Sequence, residues 1–130
     1  MATKIVIDAG HNGLSDPGAV YNGRRESDDT LRLAMAVGEI LSRSGYDVDY
    51  TRTGNINQSV IQKAQLANDT DADLFISIHR NMSEVPGSYH GVQSLVYDLN
   101  GQKLTMAEAI NKNLEGVGFR NINVEARPNL

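Results

Sequence analysis

The chain alternates short apolar runs with longer amphipathic stretches, and that rhythm sets its expected architecture. Residues 4–7 carry three β-branched side chains in succession, Ile5-Val6-Ile7. Apolar side chains on consecutive positions predict a strand covered on both faces, as in a parallel sheet. Residues 8–13 form a loop with two glycines, and 15–23 continue as loop because Asp16-Pro17-Gly18 and Asn22-Gly23 are turn sequences. From 28 to 44, Leu31, Ala34, Met35, Gly38 and Leu41, with Val37 and Ile40 nearby, follow the spacing of one buried helical face. Ser27 or Asp28 can cap its start, and Gly45 supplies a left-handed stop.

Residues 47–51 alternate Val48 and Tyr50 against Asp47 and Asp49, the pattern of a half-buried strand. A second helix is predicted over 57–68 with Val60, Ile61, Ala64 and Ala67 inward, and another apolar strand over 74–78. After a loop at 82–90 come a strand at 92–97, a turn at 98–102 and a third helix at 103–117. That helix carries Leu104, Ala107, Ile110, Asn111 and Leu114 on one stripe, and a last short strand follows at 121–125. The order β-α-β-α-β-β-α-β predicts an α/β fold: one layered domain with a largely parallel central sheet and helices on both faces.

Composition narrows the chemistry. The 130 residues include no Cys and no Trp, which excludes a disulfide scaffold, a thiolate zinc finger, an iron–sulfur protein and a cysteine nucleophile. A net charge of −4 with seven aromatics argues against nucleic acid as a partner, since that needs a basic face. No run approaches the roughly 18 apolar residues of a membrane span. The first apolar stretch stops at Asp8, short of the roughly 7–15 residues of a secretory signal, so synthesis in the cytoplasm without a signal peptide is expected.

In open α/β sheets ligands gather beyond the carboxyl ends of the strands. His11 and His79 each follow an apolar strand directly, 68 residues apart, and parallel strands would bring them to one edge. Neutral imidazole is a common zinc ligand. The plainer alternative is a pair of solvated loop histidines. A catalytic zinc takes three protein ligands and a water, and Glu26, beside the loop that carries His11, is an attractive third. Glu26 could equally offset a helix dipole, as could Asp28 and Asp29, so spacing alone does not choose it.

Taken together, these segments resemble the zinc-dependent N-acetylmuramoyl-L-alanine amidases of the amidase-3 family, cell-wall hydrolases of bacteria and their phages. Ile5-Val6-Ile7-Asp8-Ala9-Gly10-His11 is similar to the family's opening strand and its Asp-x-Gly-His-Gly-Gly loop, with Asn12 where Gly is usual. Asp16-Pro17-Gly18-Ala19 fits the next loop, and Glu26 stands at the family's ligand carboxylate. Thr51-Arg52, Ala67-Asn68 and the block from Ala72 through Ser77-Ile78-His79 to Asn81 follow in order, with Arg80 where the family has Ala.

The resemblance implies Zn2+ held by His11, Glu26 and His79, and cleavage of the amide joining N-acetylmuramic acid to L-alanine of the peptidoglycan stem peptide. It leaves the catalytic residue unknown: the family's general-base Glu lies in a Val-Glu-x-Gly-Phe-like segment expected beyond Leu130. The alternative is then a non-catalytic zinc- and peptidoglycan-binding fragment. A missing last strand would leave a sheet edge open to homodimer pairing. The resemblance further implies action on the cell wall, as a phage endolysin or a released autolysin. Asn81 is a candidate for substrate contact or for holding the His79 loop, and Asp8 for orienting His11. Arg80 is close enough in sequence to reach an anionic carboxylate of the stem peptide, with an exposed arginine as the default reading; Glu84 is the only nearby carboxylate that could stand in for the base; and His90 reads as a surface residue.

Overall fold

The computed structural model describes residues 2–80 and 90–129. The fold is α/β with a central parallel sheet, and the chain forms two compact units, Met1–Asn81 and Met82–Leu130.

The first unit is built on β1 (Lys4–Ala9), flanked by β4 (Asp47–Tyr50) on one side and β5 (Leu74–Ile78) on the other, all parallel. The chain passes from β1 through α1 (Glu26–Arg43) to β4, then back across β1 through α2 (Val60–Asp69) to β5. Right-handed crossovers that run in opposite directions along a sheet put their helices on opposite faces. On one face Ile5, Ile7 and Ala9 pack with Ala34 of α1, bordered by Leu31, Val37, Leu41, Val48 and Tyr50. Gly38 is buried there, and glycine is required because a methyl at that position would run into the Tyr50 hydroxyl. On the other face are Val6 and Asp8, and Lys63 of α2 reaches Asp8 at 2.8 Å. The run Ile5-Val6-Ile7 is buried on both faces, as its pattern predicted.

Between β1 and α1, β2 (Val20–Tyr21) and β3 (Arg24–Arg25) form a small antiparallel hairpin, which begins inside the loop expected over 15–23 and ends just beyond it. Its turn is Asn22-Gly23 with both φ positive (50° and 75°), the geometry that matches the right-handed twist of paired strands. Strands of two residues leave no alternation to detect.

The expected helical faces need two corrections. Met35 and Ile40 of α1 are exposed, because the stripe against the sheet runs through Leu31, Ala34, Gly38 and Leu41. In α2, Val60, Ile61 and Ala64 are exposed while Lys63 is buried, with Leu66, Ala67 and Thr70 half-buried beside it. The buried carboxylate of Asp8 needs a cation, and placing Lys63 inward turns Ile61 and Ala64 outward, while Val60 is exposed at the helix's first position. A capping box at Ser59 and Gln62 starts α2. The start of α1 has Arg25 as its N-cap with no side-chain cap bond, so neither Ser27 nor Asp28 caps it. Gly45 does follow the helix in a left-handed conformation, φ 96°.

The second unit is a single crossover: β6 (Val92–Val96), α3 (Gly101–Gly116) and β7 (Asn121–Ala126), with β6 and β7 parallel. The predicted stripe of α3 is its inner face, with Ala107 and Asn111 buried. Asn111 bonds Ser94 at 2.6 Å and the Asn123 carbonyl at 2.8 Å, which makes an amide acceptable in that interior.

Candidate metal centre

The carboxyl ends of β1 and β5 are neighbours, and the Gly10 N–H donates to the Ile78 carbonyl at 2.9 Å, extending their pairing beyond the last strand residue. His11 and His79 therefore leave the sheet side by side, with ring centroids 5.0 Å apart and planes at 85°. Glu26 is the first residue of α1 and is buried beneath both rings. Its Oε2 lies 3.2 Å from His11 Nε2 and 3.1 Å from His79 Nδ1. One ligand atom from each of the three falls within 4.8 Å of the others. A tetrahedral site with zinc bonds of about 2.0–2.1 Å has ligand–ligand edges of about 3.3–3.4 Å. Two nitrogens and a carboxylate at these separations fit such an ion.

Each side chain is held by its surroundings. Backbone N–H groups of Ala19 (3.0 Å) and Arg80 (2.8 Å) donate to the two oxygens of Glu26. Burial pushes the Glu26 pKa up, but these donors and the neighbouring imidazoles of His11 and His79 outweigh it, and the carboxyl is held below its ordinary value. His11 Nδ1 lies 2.8 Å from Asp16 Oδ2, which leaves Nε2 to face Glu26. The same bond is the main reason that Asp16 is held below the usual carboxylate range. Two glycines keep the space clear. A methyl on Gly10 would sit 2.6 Å from His79 Nδ1, and one on Gly18 would sit 2.5 Å from His11 Cδ2.

The sequence reading missed Asp16, which it treated only as turn chemistry. Asn12 helps to bring Asp16 into place. Its buried Oδ1 accepts from the backbone N–H groups of Leu14 (2.8 Å), Ser15 (2.9 Å) and Asp16 (3.1 Å), folding the loop over itself. Among the described residues Asp8 accepts nothing from the His11 ring. It is a residue of β1 that points to the α2 face, where it accepts from Thr51 (2.7 Å), Ser77 (2.6 Å) and Lys63 (2.8 Å). Burial pushes the Asp8 pKa up, and these three donors bring it below its ordinary value. The Arg80 guanidinium is paired with Asp29, which also binds Arg24. His90 is exposed and is the first described residue of the second unit. Asn81 and Glu84 lie outside the described residues.

The family model described as N-acetylmuramoyl-L-alanine amidase matches residues 5–129. The chain belongs to this family. It is similar to the endolysin of Bacillus phage SPP1, 34% identical over 127 residues that cover 92% of this chain and 46% of that protein. It is also similar to the sporulation-specific N-acetylmuramoyl-L-alanine amidase of Bacillus subtilis strain 168, 40% identical over 96 residues covering 72% of this chain and 36% of the relative. The chain thus spans less than half the length of these two curated relatives. Among solved structures, it resembles the catalytic domain of the amidase CwlV from Bacillus (Paenibacillus) polymyxa var. colistinus. The TM-score is 0.86 at 26% identity, over 98% of this chain and 71% of that one. No helix among the described residues is long and apolar enough to cross a membrane.

Proposed function

We propose that this amidase-family chain hydrolyses the amide between N-acetylmuramic acid and L-alanine of bacterial peptidoglycan, at a zinc ion held by His11 Nε2, Glu26 and His79 Nδ1. The observation that carries the reading is the convergence of one ligand atom from each of those three residues, within 4.8 Å of one another, in a chain that the family model matches over residues 5–129. The chemistry that zinc supplies in such a site is polarisation of a carbonyl and a water acidic enough to act near pH ~7. The residues prepare that chemistry. Glu26 is kept ionised by backbone N–H donors, so it offers negative charge without waiting for a proton to leave. Asp16 fixes the ring orientation that turns His11 Nε2 inward. His79 is the more open of the two imidazoles, 47% exposed against 25% for His11, which supports substrate approach from its side. The site of action is then the cell wall, the setting of both a phage endolysin and a sporulation amidase.

The test uses the full chain. Bound zinc is measured by elemental analysis, and purified walls are assayed for new L-alanine amino termini and for co-sedimentation. One zinc per chain and release of amino termini, both abolished by His79→Ala, is the expected result. Wall binding without release overturns the hydrolytic reading, and a His79→Ala variant that retains zinc overturns the ligand set.

A further inference from the structure

Two cations are buried under the loop that carries His11, and the chemistry above does not use them. Arg52 is 3% exposed and Lys63 is 6% exposed. Long charged side chains are almost never fully buried unless something specific pairs with them. What pairs with these is the backbone of residues 9–11. Lys63 Nζ donates to the Ala9 carbonyl at 2.9 Å and to the His11 carbonyl at 2.7 Å. Its third proton goes to Asp8 Oδ1 at 2.8 Å, so all three donors of the ammonium are used. Arg52 Nε donates to the same two carbonyls, Ala9 at 3.2 Å and His11 at 3.0 Å. Its Nη2 donates to the Gly10 carbonyl at 3.0 Å and the Ser27 carbonyl at 2.9 Å.

The backbone explains why such donors are needed. The chain leaves β1 at Ala9, and His11 takes a left-handed conformation, φ 65°, which a side chain other than glycine adopts only at a cost. That turn directs three successive carbonyls toward the protein interior, where each requires a donor. The two cations provide donors and charge together. Their network also touches all three ligand-bearing segments. It binds the carbonyl of His11 itself, and that of Ser27, which follows Glu26. Through Asp8 it reaches the Ser77 hydroxyl at 2.6 Å, two residues before His79.

We propose that Lys63 and Arg52 are positioning residues of the metal centre: a buried cationic clamp that holds the left-handed His11 backbone and sets the spacing of the three ligands. The inference rests on the reading of His11, Glu26 and His79 as a zinc site. It assigns no contact with zinc or substrate to either cation. Their effect passes through the carbonyls, so it is expressed in metal affinity rather than in the fold alone.

The experiment titrates zinc into the apo form of the full chain, with a chromophoric chelator as competitor, and follows thermal melting of the same apo samples by circular dichroism. Lys63→Met removes the charge at similar length but leaves Asp8 buried without its cation. The double variant Asp8→Asn with Lys63→Met removes both charges, a change that buried pairs tolerate far better than loss of one partner. Zinc dissociation constants about 10- to 100-fold higher, in variants that melt as folded proteins, are expected. Arg52→Lys, which keeps the charge and loses the fork, should give a smaller increase. Wild-type affinity in the folded double variant overturns the clamp. Failure of both Lys63 variants to fold also overturns it, since the cation then serves the fold. A wild-type chain that binds no zinc refutes the underlying metal site instead.

Discussion

Gly18 and Gly23 offer a matched pair of substitutions that separates backbone strain from intrusion into the metal centre. Both are left-handed, with φ 71° and 75°. An alanine in that region costs about 1–2 kcal/mol relative to glycine, so the two variants share their backbone penalty. Their surroundings differ. A methyl at Gly23 meets nothing within 4 Å, whereas one at Gly18 would lie 2.5 Å from His11 Cδ2 and 2.7 Å from Glu26 Oε1. Ordinary contact starts near 3.4 Å, so two of the three ligands must retreat by nearly an ångström. Metal bonds tolerate only about 0.2 Å, and a misplacement of about 1 Å in a catalytic group can cost about a hundredfold. Gly23→Ala should therefore lose about 1–2 kcal/mol of apo stability and keep zinc affinity and wall hydrolysis. Gly18→Ala should lose at least as much stability and, in addition, about a hundredfold in zinc affinity. Thermal melts of the apo proteins and chelator-competition titrations measure the two quantities independently. Equal zinc affinity in the two variants would refute the argument that Gly18 is there to admit the His11 ring and the Glu26 carboxylate.

Other consequences can be checked with the same preparations. Asp16→Asn keeps the side-chain shape and removes the charge that orients His11, so zinc affinity should fall about tenfold with little change in melting, read by calorimetric titration. Asp8 has a folded pKa below its ordinary 3.8. The stability it contributes is thus fully present above that value and is lost as pH falls through the lower folded one. Acid unfolding followed by circular dichroism should be steep below pH 3.8 and shallower in the Asp8→Asn/Lys63→Met variant. An unchanged acid limb in that variant would assign the transition to other carboxyls. Ile7→Ala empties a fully buried position of the central strand and should cost about 2–5 kcal/mol by urea denaturation, without moving the metal ligands.

The sequence by itself determined the elements and the edge of the sheet where chemistry gathers. The β-branched run Ile5-Val6-Ile7 pointed to a strand covered on both faces, and a histidine soon after each of two apolar strands emerges at their carboxyl ends once the strands run parallel. These are local consequences of side-chain shape and of crossover handedness, so they survive without knowledge of neighbours. Tertiary structure decided what depends on contacts across long separations. Spacing left Glu26, Asp28 and Asp29 as equivalent carboxylates near a helix start; only the fold puts Glu26 beneath both imidazoles and sends Asp28 and Asp29 to arginines. The face of α2 was misread because apolar periodicity says nothing of a buried carboxylate 55 residues away that draws Lys63 inward. The partner of the His11 ring was likewise decided by the fold, which gives it Asp16 where the sequence had offered Asp8. Asp8 and Asp16 are both close in sequence, and the choice fell to the strand pleat, which turns Asp8 toward α2, and to the Asn12 side chain, which folds Asp16 back over the ring.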